Sequence, residues 1–222
     1  MIDKFKFLGA IAAAAMLAAP TASNALSLSI SDTGTGTALT IDDGGAGDLD
    51  GLVNGTITAT GLTIGDSTIS ISSAFQNDQN GYSFLEINVT NATAGANGNL
   101  WIDAYHTGYA SGAAAPGSSE VTFVMNASSL STGGSLLGGA SAGSLSFGQQ
   151  AINSTADTIS QVGNVVLSDP FSMNIITDVV AGTSIASYDA TIIAAVPLPA
   201  AGLMLLTALG GFGVARRRRK AS

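Results

Sequence analysis

Asp42, Asp43, Asp48 and Asp50 place four carboxylates within nine residues of a glycine-rich stretch, Asp42-Asp43-Gly44-Gly45-Ala46-Gly47-Asp48-Leu49-Asp50-Gly51. Converging carboxylates suit Ca²⁺, which takes six to eight oxygens in a flexible geometry. The spacing is neither that of an EF-hand nor that of the Gly-rich nonapeptide repeats. The competing reading is a hairpin turn, in which Asp and Gly supply turn conformations and local hydrogen bonds. The turn is preferred, although carboxylates this close, with no Lys or Arg nearby, repel unless a cation joins them. No cofactor is expected, with calcium at this loop as the one candidate.

A second constellation is Trp101, Asp103 and Tyr105, which share one face of a period-two stretch, with His106 and Tyr109 just beyond. On a solvated sheet face, aromatic rings stack on sugars and a carboxylate accepts from their hydroxyls, which makes these three the candidate carbohydrate contacts. The alternative packs Trp101 and Tyr105 in the core. Because Leu100, Ile102 and Ala104 make the other face apolar too, a strand buried on both sides is expected, and His106 is expected in a loop. No residue is assigned a catalytic role. Gly139-Ala140-Ser141-Ala142-Gly143 has the spacing of a nucleophile elbow. It lies in low-complexity sequence, without the strand before and helix after that such an elbow requires. The only histidine also precedes this serine, whereas the hydrolase order places it after. A secreted hydrolase is left with a two-carboxylate mechanism for which no pair is identifiable.

The elements that carry these residues are strands. Leu28 and Ile30 alternate with Ser, Ile57 and Ala59 with Thr, and Ile69 and Ile71 with Ser. The same period runs through Leu85 to Val89, Leu100 to Ala104, Val121 to Met125, Val162 to Leu167, Phe171 to Val179 and Ile185 to Ile193. Roughly ten short antiparallel strands follow, each with one buried and one solvated face. The expected fold is an all-β, antiparallel β-sandwich, jelly-roll-like, with no repeat of fixed length to favour a β-helix. Ser128 to Gly148, rich in Ser, Gly, Leu and Ala, is expected to form a long flexible loop.

All seven basic residues sit at the ends, Lys4, Lys6 and Arg216 to Lys220. Between Leu26 and Val196 there are fourteen acidic residues and no Lys or Arg, so that stretch carries a charge near −14. It can form no Lys or Arg salt bridge, and nothing in it neutralises the phosphates of a nucleic acid. The absence of Cys removes disulfides and thiolate metal sites.

The two ends read as addresses. Lys4 and Lys6, the apolar stretch Phe7 to Ala19, and Ser23-Asn24-Ala25 read as a secretory signal peptide over residues 1–25, expected to be cut by signal peptidase after Ala25, with Ala22 as the near alternative. At the other end, Pro197 and Pro199 exclude a continuous strand or helix, and an apolar run from Ala200 to Ala215 follows. As a helix that run reaches roughly 24 Å, short of a hydrocarbon core of roughly 30 Å. Arg216, Arg217, Arg218, Arg219 and Lys220 then act as a stop-transfer cluster on the cytoplasmic side. This arrangement closely resembles the PEP-CTERM sorting signal in its Val-Pro-Leu-Pro-Ala form, matched by Val196, Pro197, Leu198, Pro199 and Ala200, with Leu198 where the namesake motif has Glu. The resemblance covers residues 196–222 and implies a Gram-negative bacterium, processing by an exosortase-type enzyme, and export. The body, residues 26–195, would be tethered to the inner membrane on its periplasmic side before reaching the cell surface or extracellular matrix. It further implies a non-enzymatic, structural or adhesive role linked to exopolysaccharide and biofilm. The alternative is a carbohydrate- or calcium-binding module of the same matrix.

Overall fold

The structure, a computed structural model, describes residues 26–79, 82–109, 118–154 and 157–195. The signal peptide read over 1–25 and the sorting signal read over 196–222 lie outside the described residues. The strands are β1 (Ser27–Asp32), β2 (Thr37–Asp42), β3 (Thr56–Ile64), β4 (Ser67–Gln79), β5 (Tyr82–Thr93), β6 (Leu100–Tyr109), β7 (Ser119–Leu130), β8 (Leu136–Ala142), β9 (Leu145–Ile152), β10 (Asp157–Val165), β11 (Phe171–Val179) and β12 (Ser184–Ala195). The period of two is their cause. In β1, Leu28 and Ile30 are buried while Ser27, Ser29 and Ser31 face outwards, and in β5 Leu85, Ile87 and Val89 are buried between more exposed neighbours. No α-helix occurs among the described residues.

Two six-stranded antiparallel sheets pack face to face, the first ordered β2-β1-β6-β11-β8-β9 and the second β10-β7-β12-β5-β4-β3. The last eight strands form one long hairpin wound across both sheets. Its tip is β8–β9, and β7 with β10, β6 with β11 and β5 with β12 pair up its arms. That is the winding of a jelly roll, with β1–β2 and β3–β4 added as edges. Between the sheets lie Leu28, Ile30, Ile87, Ile102, Phe123, Met125, Met173, Ile175 and Ile192, each fully buried. One pair of buried hydroxyls bridges the sheets: Thr177 of β11 and Tyr188 of β12 share a hydrogen bond of 2.8 Å.

Two expectations from the sequence are corrected. Ser128–Gly148 is not a flexible loop; β7 continues to Leu130, and β8 and β9 form a hairpin there. Small residues are needed at this place. A Cβ on Gly138 would lie 2.3 Å from Sδ of Met125 and 3.5 Å from the ring of Phe123, so glycine admits two large side chains of the opposite sheet. The strand expected over Val162 to Leu167 likewise lies earlier, at Asp157–Val165. The acidic stretch after Ile41 is not a hairpin turn either. It carries the chain from β2 in the first sheet to β3 in the second.

Candidate functional site

Strand β6 lies inside the first sheet, with β1 on one side and β11 on the other. Its inner face carries Leu100, Ile102, Ala104, His106 and Tyr109, all buried. Trp101, Asp103 and Tyr105 therefore point away from the core. The expectation of a strand buried on both sides is thus corrected: Trp101 and Asp103 are half-buried, and Tyr105 is 42% exposed. The reason lies in the neighbours. Ser31 and Asp178 flank Trp101, and Ser27 and Asn174 flank Tyr105, so neither ring is fully covered. His106 is not a loop residue; it is buried in β6, its ring 4.5 Å from that of Tyr109.

The register assembles the face. Ser31, Ser29 and Ser27 of β1 stand opposite Trp101, Asp103 and Tyr105. From the other side Asp178, Ile176 and Asn174 of β11 stand opposite the same three residues. Beyond β11, Leu137 and Ser141 of β8 continue the rows of Asp178 and Asn174. A depression of about 400 Å³ adjoins Tyr105 at the end of these rows, lined by Thr107, Gly143, Pro170 and Ser172 among others. Along these rows short serines stand beside the half-buried Trp101 and Asp103 and the exposed Tyr105.

The carboxylates of this face are held by amides. Asn174 Nδ2 donates to Asp103 Oδ1, and Asn99 Nδ2 donates to Asp178 Oδ2 at 3.0 Å. Burial raises both carboxyls from their ordinary value, and the single asparagine bond opposes that only in part. Asp178 is 7% exposed, and its Oδ1 is buried without a hydrogen-bond partner. Asn174, Asp178 and the β1 serines were not among the sequence candidates. Each stretch shows the period of two, but only the pairing of β6 with β1 and β11 brings them beside Trp101.

The acidic stretch is built differently. Asp43 is buried, and its two oxygens accept from the backbone N–H groups of Asn54 (3.2 Å) and Gly55 (2.8 Å). Asp48, also buried, accepts from Gly44 N–H (3.0 Å) and Thr58 N–H (3.1 Å). Asp50 accepts from Leu52 N–H and Asn54 Nδ2, and those bonds lower its pKa. Asp42 is exposed. Asp32, which the sequence did not single out, clasps two turns: it accepts from Gly34 and Thr35 N–H with one oxygen and from Asp66 N–H and Ser67 Oγ with the other. The Ser67 hydroxyl is the largest cause of its lowered pKa. Among the described residues no group of three or more His, Cys, Asp or Glu side chains is arranged to hold a metal ion. Ser141 of the elbow-like motif sits in β8, which turns at Gly143 into β9 rather than into a helix.

No protein-family model matches the chain, and no curated protein sequence matches it. Among solved structures it is similar to the C-terminal CBM6 of the laminarinase LamC from Zobellia galactanivorans, at 14% identity and a TM-score of 0.25, covering 62% of this chain and 89% of that one. It is also similar to a carbohydrate-binding module of Cellvibrio mixtus lichenase 5A in complex with cellotriose, at 18% identity and a TM-score of 0.29, covering 61% and 94%. The vertex protein P5 of PRD1 is similar at 17% identity and a TM-score of 0.29, covering 78% and 96%. At these scores no site residue passes from any of them to this chain.

Proposed function

We propose that the body is a non-catalytic carbohydrate-binding module, and that the outer face of β1, β6 and β11 is its binding surface. One observation carries this reading: Trp101 and Tyr105 point outwards on a strand whose other face is core, with Asp103 between them and Asn174 and Asp178 opposite. Rings of this kind stack on sugar faces, and the half-buried Asp103 and Asn174 take the hydroxyls. With no Lys or Arg from Leu26 to Val196, the glycan is uncharged; uronic or sulfated polymers would be repelled. The sole histidine is buried against Tyr109, off this surface, which suits binding rather than turnover.

The module works outside the cell. The signal peptide exports it, and the 196–222 signal tethers it until an exosortase-type enzyme cuts, after which it adheres to exopolysaccharide at the surface or in the matrix. Titration of the exported protein with neutral oligosaccharides found on a glycan array tests the binding. Trp101→Ala should weaken affinity at least tenfold, about 1.4 kcal/mol, with an unchanged melting temperature. Binding that survives this substitution, or an array without a single neutral ligand, would rule the surface out. Intact-mass analysis of surface material tests the sorting, with loss of Ala201 to Ser222 as the expected result.

A further inference from the structure

The two ends of the sandwich differ in a way that the sugar-binding face does not explain. The register fixes which connections share an end. Ala195, the last residue of β12, pairs with Tyr82, which pairs with Gln79 of β4. Ala194 pairs with Val121 near the start of β7, whose Ser119 pairs with Val165 of β10. At this end, then, lie the 43–55 loop, the start of β5, the 166–170 connection and both exits of the body. Leu49 (64%), Leu52 (61%) and Val53 (73%) stand exposed on the first of these, and Tyr82 (55%) and Val166 (72%) are exposed elsewhere on the same end. At the opposite end the described connections are 33–36, 65–66, 94–99, 131–135, 153–154 and 180–183, and none carries an exposed large apolar residue.

An apolar cap at one end of a body this acidic has one partner indicated by the chain itself. β12 ends at Ala195, and the apolar run begins at Ala200. The five residue steps from Ala195 to Ala200 span at most about 18 Å even when fully extended. Once the run is in a bilayer, the cap is held at the level of the headgroups, where apolar side chains bury themselves at the acyl boundary. We infer that Leu49, Leu52, Val53 and Val166 dock the tethered body on the surface of a zwitterionic lipid leaflet. This rests on the reading of residues 200–215 as a membrane segment. Exposed Asp42, Asp50, Glu120 and Asp169 rim the same end and repel anionic headgroups, which selects the zwitterionic surface. Docked this way, the body stands on its end, and the Trp101 face remains open to the periplasm.

The test uses the chain from Leu26 to Ser222, reconstituted in phosphatidylcholine vesicles with brominated acyl chains. Trp101→Phe removes the only native indole, and Leu52→Trp in that background places a reporter in the cap. Thr35→Trp in the same background reports on the opposite end. The expected result is co-flotation with the vesicles, at least twofold quenching of the indole at position 52, and none at position 35. Co-flotation with equal, weak quenching at both positions would overturn the docking while leaving the anchor intact. Failure to float would remove the anchor reading, and the docking with it. A blue shift at position 52 that grows with protein concentration in detergent, without lipid, would assign the cap to a second copy and overturn the proposal.

Discussion

The carboxylates of the 43–55 loop and those beside Trp101 are the same group in opposite situations. Asp43 and Asp48 each receive two backbone N–H bonds, and the oxygens of Asp32 receive three backbone N–H bonds and a hydroxyl. Asp103 and Asp178 each receive one side-chain amide and lie where burial raises their pKa. A chain without Lys or Arg in its body must hold its anions some other way, and it uses two. Backbone donors fix the carboxylates that shape loops. Asparagines hold those on the sheets and the rim, as in Asn126 to Asp189 at 2.8 Å, Asn88 to Glu86, and Asn54 to Asp50. The difference teaches that carboxylates met by backbone donors shape the loops, whereas Asp103 and Asp178 on the sheet are left with one amide each and with the cost of burial.

The largest effect should follow from unpairing a loop carboxylate. Asp43→Ala leaves the N–H groups of Asn54 and Gly55 without their acceptor, at a cost of about 2–4 kcal/mol. Asp43→Asn should recover part of it, since its carbonyl oxygen still accepts. Thermal melts at pH 7 check both. An Asp43→Ala protein that melts with the wild type would erase the distinction between the two groups of carboxylates.

On the sheet face the sign reverses. A folded-state pKa raised above 3.8 makes the ionised form a penalty, complete above the folded pKa and absent below the unfolded one. Asp103→Asn with Asp178→Asn should therefore raise the melting temperature at pH 7, by about 2–3 °C, and leave it unchanged at pH 3. The lowered groups act in the other window. Asp32 and Asp50 contribute stability that is present above pH 3.8 and lost as pH falls through their folded values. The wild type should thus be most stable in mild acid, and a melting temperature that rises steadily from pH 4 to pH 8 would contradict this account.

What the sequence made legible follows from period and pairing. Alternation such as that of Leu28-Ser29-Ile30 exposes both the strand and its buried face, so the sandwich and most of its twelve strands can be read directly, with β10 read several residues too late. β9 cannot, because it buries only Phe147 and Ile152, too far apart to show a period of two. Nor can β8, because its inward positions include Gly138, which makes room for Met125 and Phe123 from the other sheet, and Ala140. That is a tertiary demand with no local signature. The site was half legible for the same reason. Trp101, Asp103 and Tyr105 stand two apart in one strand, whereas Asn174 and Asp178 lie some seventy residues away and meet them only through the β6–β11 register. Which face of β6 is core was undecidable locally, since both are apolar; β1 decides it by bringing serines to one side.

A smaller effect tests the shared repulsion. Fourteen carboxylates lie closer together in the folded body than in the unfolded chain, and salt screens them as the Debye length falls from about 10 Å at 0.1 M to about 3 Å at 1 M. Sodium chloride should raise the melting temperature gradually, more at pH 7 than at pH 4. An insensitive melt would show that the asparagine and backbone bonds already neutralise the field.

The smallest expected effect is the difference between two divalent ions. A calcium site needs carboxylate oxygens free to converge at about 2.3–2.6 Å from one ion. In the 43–55 loop the oxygens of Asp43 and Asp48 are taken up by Asn54, Gly55, Gly44 and Thr58, and those of Asp50 by Leu52 and Asn54. Calcium would have to break several of these bonds, leaving N–H donors unpaired, before it gained a second ligand. Only Asp42 is exposed without that network, and one carboxylate does not select Ca²⁺ over Mg²⁺. Melts in CaCl₂ and MgCl₂ at matched ionic strength should coincide, both shifted by screening alone. A saturable increment in calcium that magnesium fails to reproduce, and that Asp48→Asn with Asp50→Asn abolishes, would move the loop from the structural to the ligand-binding side of the comparison.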